Sequence, residues 1–110
     1  MSKEKFTPGE WGIFGSGEHG FVYITDNPQK DIQDKHIICQ VQTNTKHSTI
    51  ANAHLLAASP KMYKKLEEIY NAFFTLSFRA LQSENEKGAN WFMKKAMEIE
   101  KILREARGEE

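Results

Sequence analysis

The apolar residues change their period part-way along the chain, and that change fixes the order in which secondary structure can be built. Between Glu10 and Val41 they come in three short runs, Trp11-Gly12-Ile13-Phe14, Phe21-Val22-Tyr23-Ile24-Thr25 and Ile37-Ile38-Cys39-Gln40-Val41. β-Branched and aromatic types dominate these runs, which predicts three strands. The connections GSGEHG (15–20) and Asp26-Asn27-Pro28-Gln29-Lys30-Asp31 carry the Gly, Asn, Asp and Pro of turns, so consecutive strands form an antiparallel meander. A lone three-stranded sheet has a face to bury, and its cover must come from the remaining chain.

From Ser48 onward the period is helical. Ser48 or Thr49 is expected to N-cap a short helix through Ser59, each hydroxyl being able to accept from an orphan backbone N–H. Proline suits a first helical turn and clashes inside a helix, so Ser59-Pro60 reads as a boundary, with Ser59 capping a second helix that reaches about Leu81. Met62, Leu66, Ile69, Phe73, Leu76 and Ala80 form the expected buried stripe of that helix, and Tyr63, Tyr70, Phe74 and Phe78 widen it. A last helix, from about Glu86 to Arg107, carries Phe92, Ala96, Ile99, Leu103 and Ala106 on one face, and Gly108 stops it. The expected fold is therefore α+β in a single domain over 1–110. An N-terminal three-stranded antiparallel β-meander (about 10–41) precedes a short helix and a C-terminal helical hairpin (48–107). The apolar excess of the helices exceeds what a small sheet needs. Either a simple intrachain core absorbs it or the hairpin packs on a partner chain, and a homo-oligomer, dimer or higher, is the default for a chain this short.

Charge and cysteine content narrow the function. Fifteen Lys plus Arg balance fifteen Asp plus Glu for a formal net charge of +0, which argues against general nucleic-acid binding, a property that rests on phosphate neutralisation. One cysteine, Cys39, excludes an internal disulfide and a Cys-only zinc site and fits a reducing cytoplasm. The start MSKEKFTPGEW has no apolar signal core, and no window approaches the roughly 18 apolar residues of a membrane span, so a soluble cytoplasmic protein is expected.

The chemical motifs fail one by one. GSGEHG followed by Phe21-Val22 fits both the dinucleotide G-x-G-x-x-G and the kinase glycine loop. A dinucleotide fingerprint needs a helix after the glycines, and a strand follows here. A kinase needs a strand lysine, a catalytic aspartate and metal ligands that the chain lacks. The loop reads as a hairpin turn. Metal is not expected: His36 and Cys39, three apart on a strand, point to opposite faces, and His19, His47 and His54 have no partner spacing. Cys39 lies in an apolar strand where thiols are inert, and Ser16 lacks a strand-to-helix elbow. The expectation is a protein without catalytic residues, cofactor or metal.

Binding remains. Asn85, Lys87, Asn90 and Trp91 cluster at the start of the last helix, where free N–H groups and the positive dipole end favour anions. All three arginines fall in the last third of the chain. The candidate ligand-binding set is Asn90 and Trp91 with Arg79, Arg104 and Arg107, joined by His19 from the glycine loop as part of a lid, for a small anionic nucleotide. The competing reading has Asn85 capping the helix and Trp91 packed under the sheet. Arg104 and Arg107 lie roughly a helix length from Trp91 within one chain, so only a partner chain brings them together.

One segment is more distinctive. Ala51-Asn52-Ala53-His54-Leu55-Leu56-Ala57-Ala58-Ser59-Pro60, followed by a leucine-containing helix, resembles the "ANA(R/H)LIAAAP" segment of small tailed-phage and prophage proteins. Leu56 replaces the usual isoleucine and Ser59 the third alanine. The resemblance implies a phage origin and a β-meander followed by helices, and it implies no reaction. In layout the chain is also similar to phage counter-defence sponges, oligomers with an N-terminal antiparallel sheet and C-terminal helices that sequester cyclic-nucleotide immune signals. The alternative is an inhibitor or accessory factor that contacts a host or phage protein with no small ligand.

Overall fold

The computed structural model describes residues 5–27 and 35–109. Its elements run β1 (Trp11–Phe14), β2 (Phe21–Asp26), β3 (Ile37–Gln42), α1 (Lys46–Gln82) and α2 (Glu86–Ala106). The strands pair antiparallel in the order β1-β2-β3 and the helices follow, the layout that the change of period requires. The connection expected at 26–31 lies mostly outside the described residues. Two compact units divide the chain, Met1–Lys61 and Met62–Glu110, and the division falls inside α1.

In the first unit the sheet buries one face. Ile13 stands opposite Ile24, Val22 opposite Val41 and Ile24 opposite Cys39, so the branched side chains gather on one side. Val22 and Ile24 are fully buried there together with Ala53 of α1, and Ile50 and Ala57 pack on the same cluster. Ala53 and Ala57 are one helical turn apart, and their methyl groups let the helix lie close on the strands. Phe14, Phe21 and Tyr23 occupy the other face, and the Phe21 and Tyr23 rings meet edge-on with centroids 5.3 Å apart. Ile38 is the extra residue of a bulge opposite Ile24 and Thr25.

The start of α1 differs from the expected cap. Thr45 is the N-cap, its hydroxyl accepting from the Ser48 N–H at 3.1 Å, so the helix begins before Ser48. Thr49 serves a different purpose. Fully buried, its hydroxyl accepts from the Thr43 N–H at 3.1 Å and lies 2.8 Å from the Thr43 hydroxyl, pinning the exit of β3 to the first turns of α1.

Nor does Pro60 break the chain. The expected short helix and the first arm of the hairpin are one helix of 37 residues with Pro60 inside it. A proline at position 60 cannot donate to the carbonyl of Leu56, the bond an ordinary helix would make. The Ser59 hydroxyl donates to that carbonyl instead, at 2.6 Å. The residue read as an N-cap therefore supplies the hydrogen bond that its neighbour lacks.

The second unit is an antiparallel helical hairpin. Its turn is closed by Asn85 N–H donating to the Ala80 carbonyl at 2.8 Å, and Ser77 Oγ donates to the Ala89 carbonyl at 2.9 Å. Stepping by sevens from that pair puts Tyr70 level with Ala96 and Tyr63 level with Leu103, so the small Ser77, Ala89 and Ala96 sit along the seam. Tyr63, Ser77, Ala89, Ala96 and Leu103 are all buried. On α2 the expected stripe holds for Phe92, Ala96, Ile99 and Leu103, whereas Ala106 is exposed. On α1 the stripe is rotated by one position. Met62, Ile69 and Leu76 stay exposed while Tyr63 and Ser77 face inward, and Leu66, Phe73 and Ala80 are half-buried at the margin.

Two substitutions separate the core from the proline compensation. Ile24→Ala is expected to lower the free energy of unfolding by about 2–5 kcal/mol. Ser59→Ala, which leaves an accessible carbonyl to water, should lower it by only about 0.5–1.5 kcal/mol. Urea unfolding followed by circular dichroism measures both.

Candidate functional site

The glycine loop is built as a turn. Gly15, Gly17 and Gly20 all have positive φ, and Gly20 N–H donates to the Gly17 carbonyl at 3.1 Å. Gly17 is buried, and a Cβ there would come within 3.2 Å of Ile50 Cδ1 and 3.3 Å of Lys46 Cγ. The loop is thus seated on the first turns of α1, and β2 follows it directly, which leaves no helix N-terminus for a pyrophosphate. His19 is exposed at its tip.

The start of α2 is already served. Asn85 caps it, accepting from the Gly88 N–H at 3.0 Å, and Gly88 is the residue that leaves room, since a Cβ there would lie 2.6 Å from Asn85 Nδ2. Glu86 places a carboxylate in the first turn, where it meets the positive dipole end. Asn90 and Lys87 are exposed. Trp91 is 53% exposed, and its inner part packs on the Phe73 and Phe92 rings, with centroids 6.1 and 5.3 Å away. Lys95 lies over it, Nζ 5.5 Å from the ring centroid, a cation–π contact that sequence spacing did not single out.

The arginines divide. Arg79 is exposed in the last turn of α1, where a cation suits the negative dipole end, and it shares the closed end of the hairpin with Asn90 and Trp91. Arg104 and Arg107 lie at the other end, about 20 Å from Trp91 along α2. Arg104 lines an open groove of about 610 Å³ with Met97, Glu100, Lys101, Glu105 and Glu109, where three carboxylates outnumber two cations. An anion gains little there.

Arg107 is held inside the fold. At the end of α2, Gly108 N–H donates to the Glu105 carbonyl at 3.0 Å and Glu109 N–H to the Arg104 carbonyl at 2.9 Å, a Schellman closure around the left-handed Gly108. That closure folds Glu109 back onto its neighbour. Arg107 Nε donates to Glu109 Oε2 at 2.6 Å and Nη2 to Oε1 at 3.4 Å, while Nη1 donates to the Tyr63 hydroxyl at 3.1 Å. The side chain is only 2% exposed. Glu109 first and Tyr63 second push the guanidinium above its already high ordinary value, against the opposing cost of burial. A group raised in this way loses its contribution only as pH climbs through the raised value, so the clasp adds no pH dependence near neutrality. Tyr63 and Glu109 are the partners that sequence reading missed.

His36 pairs with Asp26, Nδ1 to Oδ2 at 3.1 Å and the backbone N–H to Oδ1 at 2.8 Å, which closes the entry to β3. Among the described residues, no group of three His, Cys, Asp or Glu side chains could hold a metal ion.

A family model matches the chain over residues 1–110: Salmonella phage P22 protein Y8K6. The chain belongs to that family. Comparison with curated proteins finds no match, and comparison with solved structures finds none either. It is thus a phage protein of α+β fold, and among its described residues no helix is long and apolar enough to cross a membrane.

If Arg107 serves the hairpin, its partners carry measurable stability. Glu109→Ala should cost about 1.5–3 kcal/mol and Tyr63→Phe about 1 kcal/mol in chemical denaturation. Unchanged midpoints for both would show that the clasp is dispensable and return Arg107 to the list of candidate ligand contacts.

Proposed function

We propose that this phage protein is a non-enzymatic accessory factor that acts in the host cytoplasm by binding a protein partner through its helical hairpin. One observation carries the reading. Nine large apolar side chains of the hairpin stay substantially exposed once α1 and α2 have packed, among them Phe78 at 61% and Met97 at 62%, with Leu81, Trp91 and Ile102. Half-exposed on average, side chains of this kind leave on the order of 800 Å² of apolar surface in water, about what one partner contributes to a standard interface. Phe, Trp and Met are also the types that enrich interface cores.

A second reading draws on Trp91. Its half-exposed ring, with Lys95 over it and Asn90 beside it in sequence, offers a stacking surface, a cation and an amide. These groups suit a small (cyclic) nucleotide immune signal, sequestered between protomers of a homo-oligomer in a counter-defence role. The supply of cations is thinner than the three arginines imply, because Arg107 is taken by Glu109 and Tyr63. Protein binding is the better-supported of the two.

Phe78→Glu combined with Met97→Glu should abolish capture of a discrete partner from infected-host lysate and leave the circular dichroism spectrum unchanged. Equal capture by both forms would sink the protein-binding reading. The nucleotide reading requires that protein purified from infected cells retain a nucleotide-sized mass in native mass spectrometry, and that Trp91→Ala lose it. Bare protein, with no thermal shift across a panel of cyclic nucleotides, removes that alternative.

A further inference from the structure

The sheet ends at β3, and among the described residues no backbone pairs with its outer edge. Exposed edges are ordinarily blunted by lysine, proline or an inward-pointing charge, or covered by another segment. The residues of β3, Ile37-Ile38-Cys39-Gln40-Val41-Gln42, include neither charge nor proline. The opposite edge is different. β1 has only four residues, and the chain before it folds against its first side chain, Trp11 Nε1 donating to the Thr7 carbonyl at 2.9 Å and the Phe6 ring meeting Trp11 edge-on.

Alongside β3 runs an open groove of about 370 Å³, between Gln40, Val41 and Gln42 of the strand, with Thr43 just after it, and Asn52, Leu55 and Leu56 on α1. Leu55 on its wall and Ile37 at the start of β3 are each 62% exposed. We propose that this edge pairs with β3 of a second copy of the chain, antiparallel about a two-fold axis at Gln40, to make a continuous six-stranded sheet.

Charge identifies the occupant. A two-fold interface between identical copies brings the residues near its axis close to their own counterparts, so a charge there repels itself. Charged residues make up 27% of the chain, yet from Ile37 to Pro60 Lys46 is the only Lys, Arg, Asp or Glu. The strand, the groove and the helical shoulder are all neutral, as self-pairing demands and as a foreign charged peptide would not require.

The faces limit the register to alternate residues, and an axis at Gln40 centres it on the regular stretch 39–41 beyond the bulge. Cys39 and Val41 belong to the helix-covered side, packed on the Val22 and Ile24 cluster. Setting Cys39 opposite the second copy's Val41 keeps the two covered sides continuous and puts Gln40 opposite its own counterpart. A slip of one residue would set each covered side against an uncovered one. With the axis at Gln40, the Leu55 and Leu56 shoulders of both copies lie on one side of the sheet, flanking the joint. This pairing does not depend on what the hairpin binds.

The test is a cysteine placed at the axis in a Cys39→Ser background. Directly opposed residues hold their Cβ atoms about 4.5–5.5 Å apart, close enough for a disulfide to form with slight adjustment. Oxidised Gln40→Cys is expected to give a reducible covalent dimer, and Gln42→Cys, which would face Ile38, none. Gln40→Lys, at an exposed position, should convert a dimer into a monomer in sedimentation velocity with an unchanged circular dichroism spectrum. A wild-type monomer at micromolar concentration overturns the proposal. So does a dimer indifferent to Gln40→Lys, which would assign assembly to another surface.

Discussion

A sheet of three strands has one apolar face and no second layer of its own, and everything in the first unit answers that need. Val22 and Ile24 reach zero exposure because Ala53 descends on them, and Ala53 is in place because Thr49 anchors the helix to the end of β3. The same requirement settles the glycine loop. Gly17 is buried against Ile50 and Lys46 because the loop must fit beneath the first turns of the helix that covers the sheet. The three glycines of GSGEHG supply positive φ and lack of bulk, which is a packing demand and accounts for a motif that otherwise resembles a nucleotide loop.

Much of this was legible in residue types. The strands stand within a residue of where β-branched and aromatic runs put them, and Asn85 caps α2 as an asparagine in that position should. What composition could not show was compensation between neighbours. Pro60 signals a break only if no other group satisfies the Leu56 carbonyl, and Ser59 satisfies it with a bond that sequence reading had assigned to capping. The rotated stripe on α1 has a similar origin. Met62, Ile69 and Leu76 are more hydrophobic than Tyr63, Tyr70 and Ser77, so hydropathy favours the former set. The hairpin instead closes where small residues on α2 allow close approach and where the Ser77 hydroxyl finds the Ala89 carbonyl.

The candidate site was legible in its elements and not in its connections. Trp91 and Asn90 are adjacent in sequence and both are exposed. In sequence Arg107 looks like a ligand contact because its partner lies beyond Gly108, a residue that local pattern marks only as a stop. The Schellman closure that Gly108 permits is what returns Glu109 to the guanidinium, and the Tyr63 that completes the clasp is 44 residues away. Local pattern therefore finds cations, and only the fold says which of them are already engaged.

The hairpin and the β3 edge leave different kinds of surface, and the difference bears on how the protein works. An edge that pairs with itself about a two-fold axis closes at two copies and consumes itself. The apolar positions rejected by the rotated stripe are not consumed, since they belong to a helix pair already closed on its inner face by Tyr63, Ser77, Ala89, Ala96 and Leu103. A chain with a formal net charge of +0 has little electrostatic repulsion to keep such surfaces apart. Uncovered, they would drive indiscriminate association. On the proposed reading the neutral edge sets the stoichiometry of the assembly, and each copy then presents hairpin side chains whose sparing from the core is what makes them available to a partner of another kind.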